Sequence, residues 1–82
     1  MDTSKIKIYG NNWCGDSRRA RQFFDINHIE YIWVDIENDP EAVEFVESVN
    51  NGYRSVPTII FPDGSMLVEP SLYQLKEKFQ IH

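Results

Sequence analysis

At NWCGDS, residues 12–17, a short apolar run meets an amphipathic one, and the only cysteine of the 82-residue chain, Cys14, lies at this junction. The apolar run predicts a strand over residues 5–9, and the apolar spacing between Arg18 and Asn27 predicts a helix. The cysteine is therefore expected where a strand turns into a helix. Unpaired backbone N–H groups and the positive end of the helix dipole favour the thiolate, the reactive form of cysteine, at such a place.

The composition of the chain limits the kinds of protein it can be. We expect a single domain spanning residues 1–82, and the net charge of −5 argues against a nucleic-acid partner, whose phosphates call for a basic surface. No apolar run approaches the roughly 20 residues that cross a membrane, and the first residues lack the features of a signal peptide, so a cytoplasmic protein is expected. One cysteine excludes an internal disulfide and a four-cysteine zinc site, and neither His28 nor His82 has neighbours that suggest a metal ligand.

The rest of the chain alternates between strand-like and helix-like segments. These are, in order, a strand over 30–36, a helix capped by Asp39 with Pro40 as its first residue and Asn51-Gly52 as its stop, a strand over 56–61, a tight turn over 62–65, a strand over 66–69, and a helix with a Ser71–Gln74 capping box. Leu72, Leu75 and Phe79 are expected to face inward from the last helix. The order β-α-β-α-β-β-α predicts an α/β fold with a four-stranded mixed sheet flanked by three helices. The cysteine turn then follows the carboxyl end of the first strand, where open α/β sheets bind ligands.

Two short motifs carry a resemblance to a known family. Trp13-Cys14-Gly15-Asp16-Ser17, with Ser55-Val56-Pro57-Thr58 further along, resembles the thioredoxin-fold proteins of the glutaredoxin type, above all the mycoredoxin-type small bacterial glutaredoxins. The resemblance runs from about Ile6 to Phe79. It implies a thioredoxin-like fold and a cis peptide bond before Pro57, with this proline packed beside the active cysteine. It also implies that the backbone of Val56 pairs with an extended substrate, such as the cysteine moiety of a small thiol.

The chain departs from that family in two places. Most relatives have a second cysteine where Ser17 stands, so this protein is expected to be monothiol and to need an external thiol for turnover. Many glutaredoxins have Gly-Gly followed by Asp where this chain has Val68-Glu69-Pro70-Ser71, near the site of bound glutathione. The small thiol that serves as co-substrate is therefore open between glutathione, mycothiol, bacillithiol or another thiol, and no covalently bound cofactor is expected.

Cys14 is the predicted catalytic residue, a thiolate that attacks a disulfide sulfur; the alternative is an inert, buried cysteine. Three neighbours are predicted to support it. Trp13 would shield the sulfur and offer a flat surface, or else pack as an ordinary aromatic. Ser17 would donate a hydrogen bond to the thiolate, or else bond locally. Arg18, four residues after the cysteine, would lie over the same helix face, with Asp16 pointing to solvent.

The substrate is predicted to bind through Arg54, Val56 and Pro57. A guanidinium group suits the carboxylate of a peptidic thiol, although Arg18, Arg19 and Arg54 are each open to a simpler interpretation as solvated surface charge. Val56-Pro57 is likewise open to interpretation as an ordinary entry into a strand.

The sequence thus predicts a monothiol thiol–disulfide oxidoreductase that exchanges low-molecular-weight thiol mixed disulfides through Cys14. Its partners would be small thiols and protein mixed disulfides, without nucleic acid or membrane, and the protein would be a monomer. Two alternatives stay open. One is a monothiol glutaredoxin that binds an iron–sulfur cluster between two subunits, although Asp16 stands where such relatives usually have phenylalanine. The other is a non-enzymatic thioredoxin-fold binding module.

Overall fold

The structure, a computed structural model, describes residues 5–81. Its elements are, in chain order, β1 (Ile6–Gly10), α1 (Gly15–Ile26), β2 (Tyr31–Asp35), α2 (Pro40–Val49), β3 (Thr58–Ile60), β4 (Met66–Val68) and α3 (Leu72–Phe79). A short 3₁₀ turn, Ile36–Asn38, lies between β2 and α2. The predicted order β-α-β-α-β-β-α and the α/β class are therefore confirmed.

The four strands form one mixed sheet in the order β2-β1-β3-β4. β1 runs parallel to β2 and antiparallel to β3, and β4 pairs antiparallel with β3. In this register Ile8 lies between Trp33 and Ile59. Because β1 is an inner strand, the cysteine turn that follows its carboxyl end lies near the middle of one end of the sheet.

The side chains of β1 alternate between the two faces of the sheet, as a strand requires. Ile8 faces α1 and α3, and Tyr9 faces α2. The first face carries the larger core, formed by Ile8, Ala20, Phe23, Phe24, Ile59, Phe61 and Leu75. The second carries a smaller core, formed by Ile36, Ala42 and Val46 and bordered by Tyr9, Val34, Val43 and Val56.

Local hydrogen bonds begin and end the helices as the sequence predicts. The Asp39 side chain accepts the N–H of Ala42 at the start of α2, where Pro40 is the first helical residue. After α2, Asn51 and Gly52 both have positive φ, 56° and 91°, the left-handed conformation in which helices commonly end.

α3 begins with the full capping box: the Ser71 hydroxyl accepts the N–H of Gln74, and the Gln74 side chain accepts the N–H of Ser71.

Several predicted boundaries need correction. The first strand is shifted one residue toward the cysteine turn. The second ends at Asp35, whose carboxylate accepts the Glu37 N–H and starts the 3₁₀ turn. The third begins only at Thr58, because the preceding Pro57 has no N–H to donate to a ladder. The expectation that Leu72 faces inward was wrong: at the first position of α3 it is 46% exposed.

Within residues 5–81, no helix is both long enough and apolar enough to cross a membrane.

Candidate active site

Cys14 is the N-cap residue of α1. Its backbone is extended, with φ −79° and ψ 125°, and its carbonyl accepts the Arg18 N–H at 3.1 Å, the first hydrogen bond of the helix. The side chain of Cys14 makes no capping bond and is partly exposed. The thiol is therefore held at the amino end of a 12-residue helix and remains accessible to a reactant.

The Asn11 side chain fixes the turn that carries the cysteine. Asn11 is buried, and its Oδ1 accepts the backbone N–H of Cys14 at 2.7 Å. This bond satisfies one partly buried donor at the point where the chain leaves β1 and enters α1. Asn11 was not among the predicted site residues, although asparagine side chains commonly bond to the backbone a few residues further on.

The Ser17 side chain packs into the protein interior. It has neither of the hydrogen bonds that were predicted for it. Its side chain is fully buried against Gly10, so close that a Cβ placed on Gly10 would lie 2.6 Å from the Ser17 Oγ. Within the part of the chain that the structure describes, the Ser17 hydroxyl has no hydrogen-bond partner. Neither the predicted bond to the Cys14 sulfur nor the local alternative is present, because the third residue of α1 points toward β1.

Trp13, the residue before the cysteine, forms one wall of a groove. Its ring is 71% exposed, and its indole N–H donates to the carboxylate of Glu37, which lies on the 3₁₀ turn. The groove has a volume of about 300 Å³ and is lined by Asn11, Trp13, Ile36, Glu37, Val43, Arg54 and Val56. The structure thus brings three predicted site residues, Trp13, Arg54 and Val56, to one groove.

The Val56–Pro57 peptide bond is cis. Hydrogen bonds fix the chain on both sides of it: the Pro57 carbonyl accepts the Glu69 N–H at 2.8 Å, and the Thr58 hydroxyl donates to the Ser55 carbonyl at 2.7 Å. Pro57 is buried, whereas Val56 is partly exposed. Among residues 5–81, the N–H and C=O of Val56 have no hydrogen-bond partner. The groove therefore contains a backbone segment that is able to pair with an extended ligand.

The three arginines of α1 differ in their surroundings. Arg19 forms an ion pair with Asp16 at 2.6 Å, so the carboxylate that was expected to point to solvent is partly neutralised. Arg21 lies over the Trp33 ring, 4.2 Å from its centroid. Arg18 is exposed and has no ion-pair partner within the described chain. Its predicted support of the thiolate remains a prediction.

Arg54 is held only loosely at the other side of the groove. Its Nε lies 3.7 Å from a Glu47 carboxylate oxygen, beyond normal hydrogen-bond length, and its side chain is 61% exposed. The guanidinium is therefore accessible to a second anion. In the described part of the chain, no three His, Cys, Asp or Glu side chains are grouped so that they could hold a metal ion.

A sequence model of the glutaredoxin family matches residues 6–66, which include the cysteine turn, the groove and the first three strands. The chain belongs to the glutaredoxin family. A protein of Mycobacterium tuberculosis, provisionally named a glutaredoxin, is 46% identical over 78 residues, which cover 95% of this chain and 93% of that protein. Mycoredoxin 1 of Corynebacterium glutamicum is 35% identical over 77 residues, which cover 94% and 95% of the two chains.

Solved structures place this glutaredoxin in the thioredoxin-like fold. A mutant of the thioredoxin-like protein BC3987 aligns with a TM-score of 0.80 at 23% identity, over 95% of this chain and 97% of that one. A glutaredoxin from Archaeoglobus fulgidus aligns with a TM-score of 0.74 at 21% identity, over 94% and 87%. The predicted fold and family resemblance are thus confirmed. With one cysteine, this member is monothiol, and the family supports a thiol–disulfide oxidoreductase role.

Besides Asn11, two further features of this glutaredoxin's site were not predicted from the sequence. The close approach of Ser17 to Gly10 follows from the packing of α1 on β1, and nothing in the local sequence indicates it. The contact between Trp13 and Glu37 spans 24 positions. It depends on the parallel pairing of β1 with β2, which brings the loops after the two strands together. A search among polar residues just after the second predicted strand would have included Glu37.

Proposed function

We propose that this glutaredoxin is a monothiol thiol–disulfide oxidoreductase that exchanges the mixed disulfides of low-molecular-weight thiols through Cys14. One observation carries the proposal: Cys14, at the start of α1, directly follows Trp13, which lines a groove in which the backbone of Val56 has no partner among the described residues. A nucleophile and a strip of backbone hydrogen-bonding groups are what a disulfide attached to a peptidic thiol requires.

In the first step, the Cys14 thiolate attacks the sulfur of the small thiol in a protein mixed disulfide. A bond forms between the Cys14 Sγ and that sulfur, the original S–S bond breaks, and its electron pair leaves with the protein thiolate, which then takes up a proton. In the second step, the thiolate of a second small thiol attacks the same small-thiol sulfur. The small-thiol disulfide leaves, and the Cys14 thiolate is restored.

The surrounding residues are assigned supporting roles in this exchange. The amino end of α1 stabilises the negative charge on the Cys14 sulfur in both steps. The Val56 N–H and C=O hold the small thiol in an extended conformation, with buried Pro57 fixing that segment. The exposed Arg54 guanidinium takes a carboxylate of the thiol.

The co-substrate proposed for this chain is a glutathione-like or mycothiol-like thiol. Family membership supports this chemical class, and the 35% identity to a protein named mycoredoxin 1 supports the inclusion of mycothiol. Ser17 provides no resolving thiol, so the second thiol must come from solution.

The test is a turnover assay with 2-hydroxyethyl disulfide and a small thiol, run with glutathione and with mycothiol. Wild-type protein is expected to turn over with at least one of them, and Cys14→Ser is expected to have no activity. Wild-type protein alkylated with iodoacetamide is the matched control, because only Cys14 can be blocked. Substantial turnover by Cys14→Ser would refute the proposal.

A second measurement separates this function from its alternatives. Alkylation of Cys14 by iodoacetamide is followed against pH, beside a free small thiol such as N-acetylcysteine. Reaction that persists at lower pH than for the free thiol supports an activated thiolate, whereas a matching profile favours a non-enzymatic binding module. Visible absorbance after anaerobic reconstitution with iron, sulfide and glutathione would favour the cluster-binding alternative.

A further inference from the structure

Two opposite charges line the groove that Trp13 borders. Glu37 belongs to the 3₁₀ turn after β2, and Arg54 belongs to the loop before Val56. The Glu37 backbone is fixed in place, because its N–H donates to the Asp35 carboxylate at 3.0 Å. The backbone that carries the Glu37 side chain to the groove is thus held by the fold.

One oxygen of the Glu37 carboxylate accepts the Trp13 indole N–H, which ties this charge to the residue directly before the cysteine. A carboxylate has two oxygens and accepts several hydrogen bonds, so the second oxygen remains able to accept another. Within residues 5–81, no basic side chain lies within ion-pair distance of Glu37. Its negative charge is therefore not held in an ion pair within the described residues.

Arg54 brings a positive charge to the same groove, opposite in sign to that of Glu37. A guanidinium group only donates hydrogen bonds, as a carboxylate only accepts them. Because Arg54 is loosely paired with Glu47, it too is able to interact with a ligand in the groove. A ligand that matches both charges bears an ammonium or hydroxyl donor toward Glu37 and a carboxylate toward Arg54.

We propose that Glu37 is a specificity-determining residue, which makes Cys14 react preferentially with disulfides that carry ammonium or hydroxyl groups over those that carry only carboxylates. This inference rests on the proposed function, since it concerns which small thiols reach the cysteine. It assigns to Glu37 a part in substrate choice, through direct contact with the substrate beside Trp13.

The variant Glu37→Gln tests the inference cleanly. Glutamine keeps the shape of the side chain and an oxygen for the Trp13 N–H, and it replaces the charged carboxylate with a neutral amide. Glu77→Gln is the matched control: Glu77 is an exposed glutamate on α3, outside the groove, and its substitution changes the net charge by the same amount.

The reduced full-length protein is reacted in a single turnover with cystamine, which is cationic, and with 3,3′-dithiodipropionate, which is anionic. Neutral 2-hydroxyethyl disulfide is reacted beside them, and general effects on Cys14 cancel in the ratio of the cystamine rate constant to the dithiodipropionate rate constant. Glu37→Gln is expected to lower the cystamine-to-dithiodipropionate ratio about threefold to fivefold, the upper range for an exposed ion pair. The difference should shrink in high salt, which screens exposed charges.

The possible results separate the role of Glu37 from the proposed function. An unchanged ratio in Glu37→Gln, or an equal fall in Glu77→Gln, overturns the role of Glu37 while the proposed function stands. If wild-type protein reacts with none of the three disulfides, the proposed function fails. In that case, the effect of Glu37 on charged reagents at Cys14 is measured by alkylation. Glu37→Gln should raise the rate of reaction with anionic iodoacetate, relative to neutral iodoacetamide, about twofold. An unchanged ratio of these two rates overturns the inference.

Discussion

Replacement of Gly10 by alanine should destabilise the protein substantially. A Cβ at this position would lie 2.6 Å from the Ser17 Oγ, 3.0 Å from the Trp33 ring and 3.1 Å from the Ser17 Cβ. Gly10 and Ser17 are both buried, so neither has room to move aside. Overpacking of this kind costs about 1–3 kcal/mol, and in a domain of this size each kcal/mol lowers Tm by roughly 4–8 °C.

The substitution Ser17→Ala should have a different effect. It removes a fully buried hydroxyl that has no partner within the described chain, and the burial of such a group costs about 1–3 kcal/mol. Some packing is lost with the oxygen, so we expect a change between zero and about 1 kcal/mol of stabilisation. With the Oγ absent, the cost of Gly10→Ala should fall by about 1 kcal/mol or more, but not to zero, because two other close contacts remain.

The assay is urea unfolding of wild type, both single variants and the double variant, with the free energies compared as a double-mutant cycle. Gly15→Ala is the control, since a Cβ on Gly15 meets nothing within 4 Å and alanine is favoured in a helix. It should be neutral or stabilising. If Gly10→Ala unfolds within about 0.5 kcal/mol of wild type, or if the two substitutions are additive within the same margin, the contact between residues 10 and 17 is not as tight as described.

Three further predictions each concern the effect of a single side chain on stability. Asn11→Ala leaves the Cys14 N–H without its acceptor and should lower the urea unfolding free energy by about 1 kcal/mol; an unchanged value would show that the contact does not stabilise the turn. Burial, and then the Asp39 carboxylate, raise the pKa of Tyr9 above its usual 10.0, so the fold favours the neutral phenol. The stability of wild type should hold below pH 10 and fall as the pH rises through the raised pKa, and Tyr9→Phe should lack this part of the alkaline loss in pH-dependent urea unfolding. Ser71→Ala removes the capping box of α3 and should cost about 1 kcal/mol in thermal unfolding; no change in Tm would contradict this estimate.

The sequence predicted best those features that neighbouring residues determine. The start of α2 follows from Asp39 and Pro40, and the start of α3 follows from Ser71 and Gln74, because each cap needs only a side chain and the backbone three residues on. The order of strands and helices was likewise predictable, since each element has its own apolar spacing.

Contacts between distant residues were not predictable in this way. The direction of Ser17 depends on how α1 packs on β1, and the bond from Trp13 to Glu37 depends on which strands are neighbours. Leu72 has an apolar side chain in the right periodicity, yet it lies at the first turn of α3, beyond the core that Leu75 reaches. Composition and spacing carry no information on where a packed surface ends.

The buried serine at position 17, where a cysteine would allow an internal disulfide, changes how the oxidised fraction of the protein depends on small-thiol concentrations. A dithiol protein that closes an internal disulfide releases two small thiols for each disulfide consumed, so its oxidised fraction depends on the square of the free thiol concentration. Here residue 17 has no sulfur, and one small thiol is released for each disulfide that Cys14 consumes. In the proposed exchange, the modified fraction at equilibrium therefore depends only on the ratio of small-thiol disulfide to small thiol. Dilution of the whole pool would leave that fraction unchanged.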